Sequence, residues 1–463
     1  MHSLSELNSQ ILVLSLVYAS LFFEFIINRH MAIEFTDMTI LIKSPAKASA
    51  ALVVALATGC ATITAPAVAQ PSTWVATWQA SPQPVWGSDF LFPTNIPEVL
   101  RDQTLRQVAR ISVGGQRLRI VLSNAYGSQP VAVGRATVAW AGKQDAVTDG
   151  SVRTVTFGGR ETASIAPGAS LVSDPVALPV SALAQVMVSL YFPDTTPMTT
   201  FHWDGRQTAL IVPGDQSSAL ALTKTGGVMQ STTARPLLTG IDVETESAAR
   251  AVIVIGDSIT DGAAASLNQD SRWPDFLAAR LAPYGVAVVN AGISGARLLS
   301  DGMGVNALAR LNRDVLTQPG ASSVIVMLGI NDIAWPGTAF ARTARRPALD
   351  DLTAGYRQLI EQAHRRGLRV IGATLTPFEG ALPGTPLDNY YDTDKDALRQ
   401  RVNDWIRHSG VFDAVIDFDA ALRDPVHPAR LAERYDSGDH LHPGDAGNRK
   451  MAEFVDLGAL VPR

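Results

Sequence analysis

The sequence is poor in cysteine and in charge. Of its 463 residues only Cys60 is a cysteine, so an intramolecular disulfide framework is excluded. Charged residues make up 17% and leave a formal net charge of −5, which provides neither the basic surface that binds nucleic acid nor the charge density of a disordered chain. With 46% hydrophobic residues, the chain is long enough for about two or three domains with buried cores.

Signatures of metal and cofactor chemistry are also missing. The sequence has no His-Glu-x-x-His segment, no cluster of cysteine ligands and no glycine-rich loop that ends in lysine. We therefore expect no metal and no cofactor. His202 and His364 are interpreted as surface or hydrogen-bonded histidines rather than ligands.

The first 70 residues have the composition of a leader. Starting at Met38, a short basic region precedes an apolar stretch at 48–57 and a small-residue cleavage site that ends at Ala69. The apolar stretch is too short to cross a bilayer as a helix. The pattern predicts a signal peptide and a secreted or periplasmic protein without a stable membrane partner in its mature form.

Two features of this leader have alternative interpretations. Lipidation of Cys60 would anchor the protein to a membrane, although the residues before it fit that signal poorly. Residues 1–37 contain a second apolar run, which is best explained if translation starts at Met38, and a membrane anchor is the alternative.

Residues 71–245 are predicted to form an all-β domain. Short segments of alternating polarity are separated by glycine and proline, and segments 110–113 and 117–122 flank Gly114-Gly115 as in a hairpin. A sandwich or jelly roll is expected. Such a domain can bind carbohydrate or pack beside an active site as a scaffold. The tryptophans Trp74, Trp78, Trp86 and Trp203 would line a sugar platform or, more simply, fill the core.

Residues 250–463 alternate between strand and helix patterns. The sequence predicts helices at 271–281, 352–366, 394–408 and 448–456, and strands at 251–255, 286–290, 323–328, 368–373 and 414–418. This order indicates an α/β fold with a doubly wound, parallel, five-stranded sheet of the flavodoxin-like type.

The most informative segment follows the first of these strands. The apolar run 251–255 leads directly into Gly256-Asp257-Ser258, and so delivers a hydroxyl to the carboxyl edge of the sheet, where open α/β sheets bind ligands. Ser258 is therefore a candidate nucleophile on a tight strand-to-helix corner, although a plain turn can have the same composition.

Three further blocks follow in chain order. Residues 291–295 read Ala-Gly-Ile-Ser-Gly, residues 329–332 read Gly-Ile-Asn-Asp, and residues 439–443 read Asp-His-Leu-His-Pro. Together with the segment around Ser258, these blocks resemble the SGNH hydrolase superfamily, also called the GDSL esterases and lipases. The resemblance spans roughly residues 250–460 and implies the SGNH fold and carboxylic ester hydrolysis.

The chemistry of ester cleavage assigns roles to these residues. A serine hydroxyl needs a base within hydrogen-bond reach, for which His442 is the candidate, with Asp439 to orient it. The resemblance implies an oxyanion hole made of the backbone N–H groups of Ser258 and Gly295 and the side-chain amide of Asn331. Asn331 has a plainer interpretation as a turn residue.

The sequence also contains a competing Asp-x-x-His pair, Asp424 and His427. Its internal Pro425 favours a rigid turn, whereas the later pair precedes a plausible C-terminal helix, so we assign the base to His442. Asp257 and Asp332 are expected to hold loop backbone rather than react, and His440 is expected at the surface or at the rim of the site.

The leading hypothesis is a secreted serine esterase that works through an acyl-enzyme intermediate. Acetylated polysaccharides, lipids and aryl esters are the substrate classes that the resemblance implies, and the leader and β domain favour polysaccharide-linked esters. One alternative is transfer of the acyl group to a sugar hydroxyl. Another is a non-catalytic carbohydrate-binding protein, against which the complete set of site residues argues.

Overall fold

The computed structural model describes residues 73–224, 227–245 and 249–461. The predicted leader, with Met38, Cys60 and the cleavage site after Ala69, lies outside these residues. Within the described ranges, no helix is both long enough and apolar enough to span a bilayer.

The described residues between 73 and 245 form strands and no helix. The strands are β1 (Thr73–Gln79), β2 (Gln83–Pro84), β3 (Val99–Leu100), β4 (Gln103–Arg110), β5 (Gly115–Ser123), β6 (Val131–Val133), β7 (Arg135–Trp140), β8 (Arg153–Val155), β9 (Ala163–Ile165), β10 (Ser170–Val172), β11 (Val176–Val180), β12 (Gln185–Phe192), β13 (Thr196–Pro197), β14 (Thr200–Phe201), β15 (Ala209–Pro213), β16 (Gln230–Thr232) and β17 (Leu238–Thr245).

These strands build two main antiparallel sheets. One has the order β1-β17-β5-β10, with β11 also paired to β5, and the other has the order β16-β15-β4-β12-β7-β8. In β11 the residues Val176, Leu178 and Val180 are buried and those between them are exposed, as expected for a strand with one face on a core. The buried faces of both sheets share one hydrophobic cluster, which confirms the predicted all-β sandwich.

The predicted hairpin around Gly114-Gly115 is wrong. Strand β4 pairs with β12 and β15, whereas β5 pairs with β17, β10 and β11, so the chain crosses from one sheet to the other. The hydroxyl of Thr77 accepts the N–H of Val113 at 2.8 Å and donates to its carbonyl oxygen at 2.8 Å. A Cβ on Gly114 would lie 2.2 Å from the carbonyl oxygen of Val180, so this glycine allows a close approach of two chain segments.

The remainder of the chain alternates strands and helices. The strands are β18 (Arg250–Gly256), β19 (Val286–Gly292), β20 (Ala321–Met327), β21 (Arg369–Ala373) and β22 (Ala414–Ile416). The helices are α1 (Ser258–Asp261), α2 (Trp273–Leu281), α3 (Ala307–Leu311), α4 (Ile330–Ala334), α5 (Leu349–His364), α6 (Thr393–His408), α7 (Phe418–Leu422) and α8 (Asp445–Phe454). Short 3-10 or π turns occur at Ala282–Tyr284, Asn312–Leu316, Glu433–Tyr435 and Leu457–Ala459.

The five strands form a parallel sheet in the order β19-β18-β20-β21-β22. This is the flavodoxin-like order, and it confirms the doubly wound sheet that the sequence predicts. The chain leaves β18 first toward β19 and later returns on the other side as β20. The carboxyl end of β18 therefore lies at the point where the strand order reverses, which is where such sheets bind ligands.

The antiparallel sheets and the parallel sheet share a hydrophobic core. Val75 of β1 and Leu118 of β5 belong to the same buried cluster as Ile253 and Val326 of the parallel sheet. Hydrogen bonds reinforce the junction, because the N–H of Ala76 donates to a loop carbonyl of the α/β region at 2.9 Å. This packing brings loops of the β region close to the carboxyl edge of the parallel sheet.

Candidate active site

Ser258 lies on a corner that only glycine permits. Strand β18 ends at Gly256, where a Cβ would lie 2.1 Å from the hydroxyl oxygen of Thr260. Asp257 then caps helix α1 by accepting the N–H of Ile259, and Ser258 is the first helical residue. Gly262 ends the helix with a φ of 104°, in the left-handed region. The short helix thus presents the serine at the switch point of the sheet.

The serine begins a hydrogen-bonded chain of three side chains. Its Oγ lies 2.8 Å from Nε2 of His442, and Nδ1 of His442 lies 2.6 Å from Oδ2 of Asp439. A carboxylate only accepts hydrogen bonds, so Nδ1 donates to Asp439, and Nε2 is the ring nitrogen placed to accept the serine proton.

Asp439 is held as an ionised carboxylate. Burial opposes its charge, but the hydrogen bond from the ring of His442 and the backbone N–H groups of His442 and Leu441 lower the pKa of Asp439 far below its ordinary value. A negative Asp439 in this position is suited to stabilise an imidazolium at His442.

The competing pair occupies a different position. Oδ1 of Asp424 accepts the backbone N–H groups of Val426 and His427, each at 2.8 Å, and the side chain of His427 is exposed. This is the rigid turn that Pro425 suggests. The structure places His442, and not His427, next to Ser258.

The predicted oxyanion donors line one cavity with the triad. Among the described residues, the backbone N–H groups of Ser258 and Gly295 have no hydrogen-bond partner. Gly295 has a φ of 71°, and a Cβ there would lie 2.8 Å from the side chains of Met303 and Trp335. The site therefore requires glycine at this position both for its backbone conformation and for space.

Asn331 is oriented by a residue that the sequence analysis missed. The hydroxyl of Tyr390 donates to Oδ1 of Asn331 at 2.8 Å, and Nδ2 of Asn331 donates to the carbonyl oxygen of Ala296 at 3.0 Å. Burial raises the pKa of Tyr390 well above its ordinary value, so the phenol remains a donor. These two bonds fix which end of the amide is nitrogen and leave its second N–H for the cavity. No motif marks Tyr390 in the sequence.

The acidic neighbours hold loop backbone, as predicted. Asp332 accepts the N–H groups of Leu298 and Leu299 at 2.7 and 2.9 Å. Burial raises the pKa of Asp257 to about 7 and that of Asp332 to about 6. His440 is exposed and pairs with a nearby carboxylate, in agreement with its expected surface position.

Both regions of the chain line the cavity, which has a volume of about 390 Å³. The β region contributes Leu91, Phe92, Trp203 and Asp204, and the α/β region contributes most of the remaining wall, including Trp335, Phe340, Leu382, Leu387 and Tyr390. Among the predicted alternatives for the β region, a scaffold beside the active site matches this arrangement most directly.

The aromatic side chains form a continuous patch along this wall. The rings of Phe92 and Trp203 stack with centroids 5.4 Å apart, and the ring of Phe340 contacts Phe92 at 5.4 Å. Trp86 packs behind Trp203 at 5.7 Å. Of the four tryptophans considered in the sequence, Trp78 fills the core, whereas Trp203 faces the cavity.

No metal site is evident in the part of the chain that the structure describes. No group of three or more His, Cys, Asp or Glu side chains there is arranged to hold an ion. The histidine of the cavity is already engaged by Ser258 and Asp439.

Comparison with known proteins gives matches of limited extent. No curated protein sequence matches the chain. Solved structures similar to it include a GDSL-like lipase from Bacteroides thetaiotaomicron (18% identity, 45% of this chain and 87% of that one, TM-score 0.34). They also include the aryl esterase of M. smegmatis (19% identity, 44% of this chain and 95% of that one, TM-score 0.36). A third is an acetyl xylan esterase from Geobacillus stearothermophilus (24% identity, 47% of this chain and 99% of that one, TM-score 0.33).

A family model identifies the α/β region. Residues 252–455 match the model described as GDSL-like Lipase/Acylhydrolase, a range that contains Ser258, Gly295, Asn331, Asp439 and His442. The α/β region is thus a GDSL-like lipase/acylhydrolase domain, and the protein is a carboxylic ester hydrolase.

Proposed function

We propose that the protein is a serine esterase that hydrolyses carboxylic esters through an acyl-enzyme intermediate on Ser258. The observation that carries this proposal is the unbroken hydrogen-bonded chain from Ser258 through His442 to Asp439. It lies at the wall of a cavity that also contains the predicted oxyanion donors.

In the first half of the reaction, Oγ of Ser258 attacks the carbonyl carbon of the ester while its proton passes to Nε2 of His442. The carbonyl oxygen becomes an oxyanion, which the N–H groups of Ser258, Gly295 and Asn331 stabilise. The intermediate collapses when the bond to the alcohol oxygen breaks, and His442 returns its proton to that leaving oxygen.

In the second half, water replaces the alcohol. His442 takes a proton from the water as its oxygen attacks the acyl carbon, the same donors stabilise the second oxyanion, and the bond to Ser258 breaks. The carboxylic acid leaves and the serine regains its proton from His442. Asp439 remains ionised throughout, since its pKa is strongly lowered in the folded protein.

The cavity supports a substrate with a compact apolar or aromatic group. Its aromatic wall and its volume of about 390 Å³ suit a short acyl or aryl group. A polysaccharide chain is too large to enter, so a polysaccharide-linked ester would insert only its acyl group and leave the sugar at the rim, near Asp204. The proposal includes secretion, which the amino-terminal sequence of the mature protein tests.

The test compares the native protein and Ser258→Ala on p-nitrophenyl esters of increasing acyl length and on acetylated xylan. The variant should lose about a thousandfold or more of turnover with its melting temperature nearly unchanged. A fluorophosphonate should label the native protein at Ser258, as located by mass spectrometry. Retention of more than a few per cent of turnover in the variant would overturn the proposal. Product analysis with sugar acceptors distinguishes hydrolysis from acyl transfer.

A further inference from the structure

His202 connects the β region to the catalytic loops. It follows strand β14 and is buried. Its Nδ1 lies 3.0 Å from the carbonyl oxygen of Ser81, which is also in the β region, and its Nε2 lies 2.9 Å from Oδ1 of Asp261 in helix α1. The hydrogen bond to Asp261 therefore joins the two regions of the chain within three residues of Ser258.

The partners of His202 determine its protonation. A carbonyl oxygen and a carboxylate oxygen are both acceptors, so each ring nitrogen must donate and the ring is an imidazolium. Burial works against this charge and Asp261 favours it, with the net result that the pKa of His202 is raised. Arg272, the other charged group near the ring, acts in the opposite direction.

Asp261 also binds the loop that carries Gly295, one of the proposed oxyanion donors. Its Oδ2 accepts the backbone N–H of Ser294 at 2.8 Å and the hydroxyl of Ser294 at 2.8 Å. With His202 on the other oxygen, three donors surround the carboxylate of Asp261. Ser294 immediately precedes Gly295.

The loop from Gly292 to Gly295 is in direct contact with helix α1. A Cβ on Gly292 would lie 2.5 Å from the backbone nitrogen of Asp261. A shift of Asp261 would therefore be transmitted directly to the loop from Gly292 to Gly295, since closely packed atoms cannot absorb it.

We infer that His202 is a positioning residue of the oxyanion hole: it holds the carboxylate of Asp261, and through it Ser294, so that the N–H of Gly295 points at the developing oxyanion. This inference rests on the proposed esterase function. It assigns to the β region a part in transition-state stabilisation in addition to its part in the cavity wall.

A second set of hydrogen bonds, made by Gln83, fixes Trp203, the residue after His202. The side chain of Gln83 accepts the N–H of Trp203 at 2.9 Å and donates to the carbonyl oxygen of Met303 at 2.9 Å. Met303 and Trp203 both line the cavity. Hydrogen bonds thus connect two adjacent residues, His202 directly and Trp203 through Gln83, to the α/β region. These bonds hold the segment that carries His202 in place.

Two substitutions of His202 separate its two hydrogen bonds. In His202→Gln the terminal amide can reach the position of Nε2 and still donate to Asp261, whereas in His202→Asn the shorter amide matches Nδ1 and reaches only Ser81. Both variants lose the positive charge and bury a neutral amide, so they form a matched pair. The positioning role predicts that kcat falls about tenfold or more in the Asn variant and only a few-fold in the Gln variant, with KM nearly unchanged in both.

The measurement is kcat per active site, with sites counted by fluorophosphonate titration so that misfolded protein is excluded. Equal kcat values for the two variants, or native kcat per titrated site in the Asn variant, would overturn the inference while the native enzyme remains active. Failure of the proposed function looks different, because the native enzyme itself would neither turn over esters nor take up the label.

A double-mutant cycle provides an independent readout. Ser294→Ala removes the hydroxyl that binds Asp261 and keeps the backbone N–H. If His202 acts through Asp261 and Ser294, the combined His202→Asn and Ser294→Ala variant should lose less kcat than the product of the two single losses. Multiplicative losses would show that the two residues act independently and would contradict the inference.

Discussion

The two sides of the active-site cavity are built in different ways. On one side, Ser258, Asn331 and His442 each have polar atoms engaged by hydrogen bonds of 2.6 to 3.0 Å. On the other side, the rings of Phe92 and Trp203 stack on each other, and the indole N–H of Trp203 donates to the carbonyl oxygen of Pro93 at 2.9 Å, behind the face that the rings present. Hydrogen bonds fix directions, as transition-state stabilisation requires, whereas ring packing fixes the shape of the cavity. Changes on the polar side should therefore lower kcat for every ester, and changes on the aromatic side should alter the discrimination between esters.

The strongest test of the polar side is His442→Ala. Without the base, the serine proton has no acceptor, so kcat should fall about a thousandfold or more for short and long esters alike. Steady-state kinetics on two p-nitrophenyl esters of different length measures this.

His427→Ala is the matched control, since it removes the histidine of the competing Asp-x-x-His pair. This exposed side chain should be replaceable with little change in kcat. The reverse result, with activity lost in His427→Ala and kept in His442→Ala, would contradict the assignment of the base.

Asn331→Ala should have the next largest effect. The oxyanion exists only in the transition state, so kcat should fall about a hundredfold with little change in KM. Tyr390→Phe removes only the hydroxyl that orients the amide, and a smaller loss of kcat, of about several-fold, is expected. If both variants lowered the melting temperature but left kcat per titrated site unchanged, Asn331 would be a turn residue. It would then not belong to the oxyanion hole.

Trp203→Ala tests the aromatic side. Removal of the ring opens the cavity, so kcat/KM should fall about tenfold for an ester with a bulky acyl group and change little for an acetate ester. Trp74→Ala is a suitable control, because this ring packs against Arg119 and does not line the cavity. An equal loss of kcat/KM for both esters in Trp203→Ala would contradict the view that the aromatic side sets the discrimination between esters.

The smallest expected effect concerns stability. Burial raises the pKa of Asp257 in the folded protein to about 7, above its unfolded value of about 4, so the folded state loses stability as pH rises through this interval. Asp257→Asn replaces the protonated carboxyl with a neutral amide that can still cap helix α1. The melting temperature of the variant relative to native should therefore increase between about pH 4 and pH 7.

Ser258→Ala provides the control for this effect, since it keeps Asp257 and should retain the native pH dependence. A constant difference in melting temperature between Asp257→Asn and the native protein across the interval would show that Asp257 is already ionised when folded.

The residues of the polar side could be predicted because their signals are local. Ser258 follows an apolar run that is typical of a buried strand, and Asp439 and His442 are close enough in sequence to meet without help from the rest of the chain. The parallel sheet was predictable for the same reason, since each strand and helix has its own periodicity. Strand bounds differ from the prediction by at most two residues.

The aromatic side could not be predicted in this way. Phe92 and Trp203 lie in irregular segments whose conformations depend on contacts with distant parts of the chain, and so does Tyr390 on the polar side. The wrong hairpin has the same origin. Gly114-Gly115 is a good turn sequence, but the hydroxyl of Thr77 binds Val113 and directs the chain to the other sheet. Local sequence gives no information on which segment will supply such a partner.

The shared hydrophobic core makes the two regions of this protein depend on each other. Many enzymes exchange accessory domains, because a flexible linker leaves each partner with a complete surface of its own. Here Val75 and Ile253 belong to one buried cluster, and Trp203 completes the cavity beside Ser258. A chain that replaced residues 73–245 with an unrelated module would expose part of its interior and lose one wall of its substrate site. The α/β region therefore depends on residues 73–245 both for the cover of its core and for one wall of its cavity.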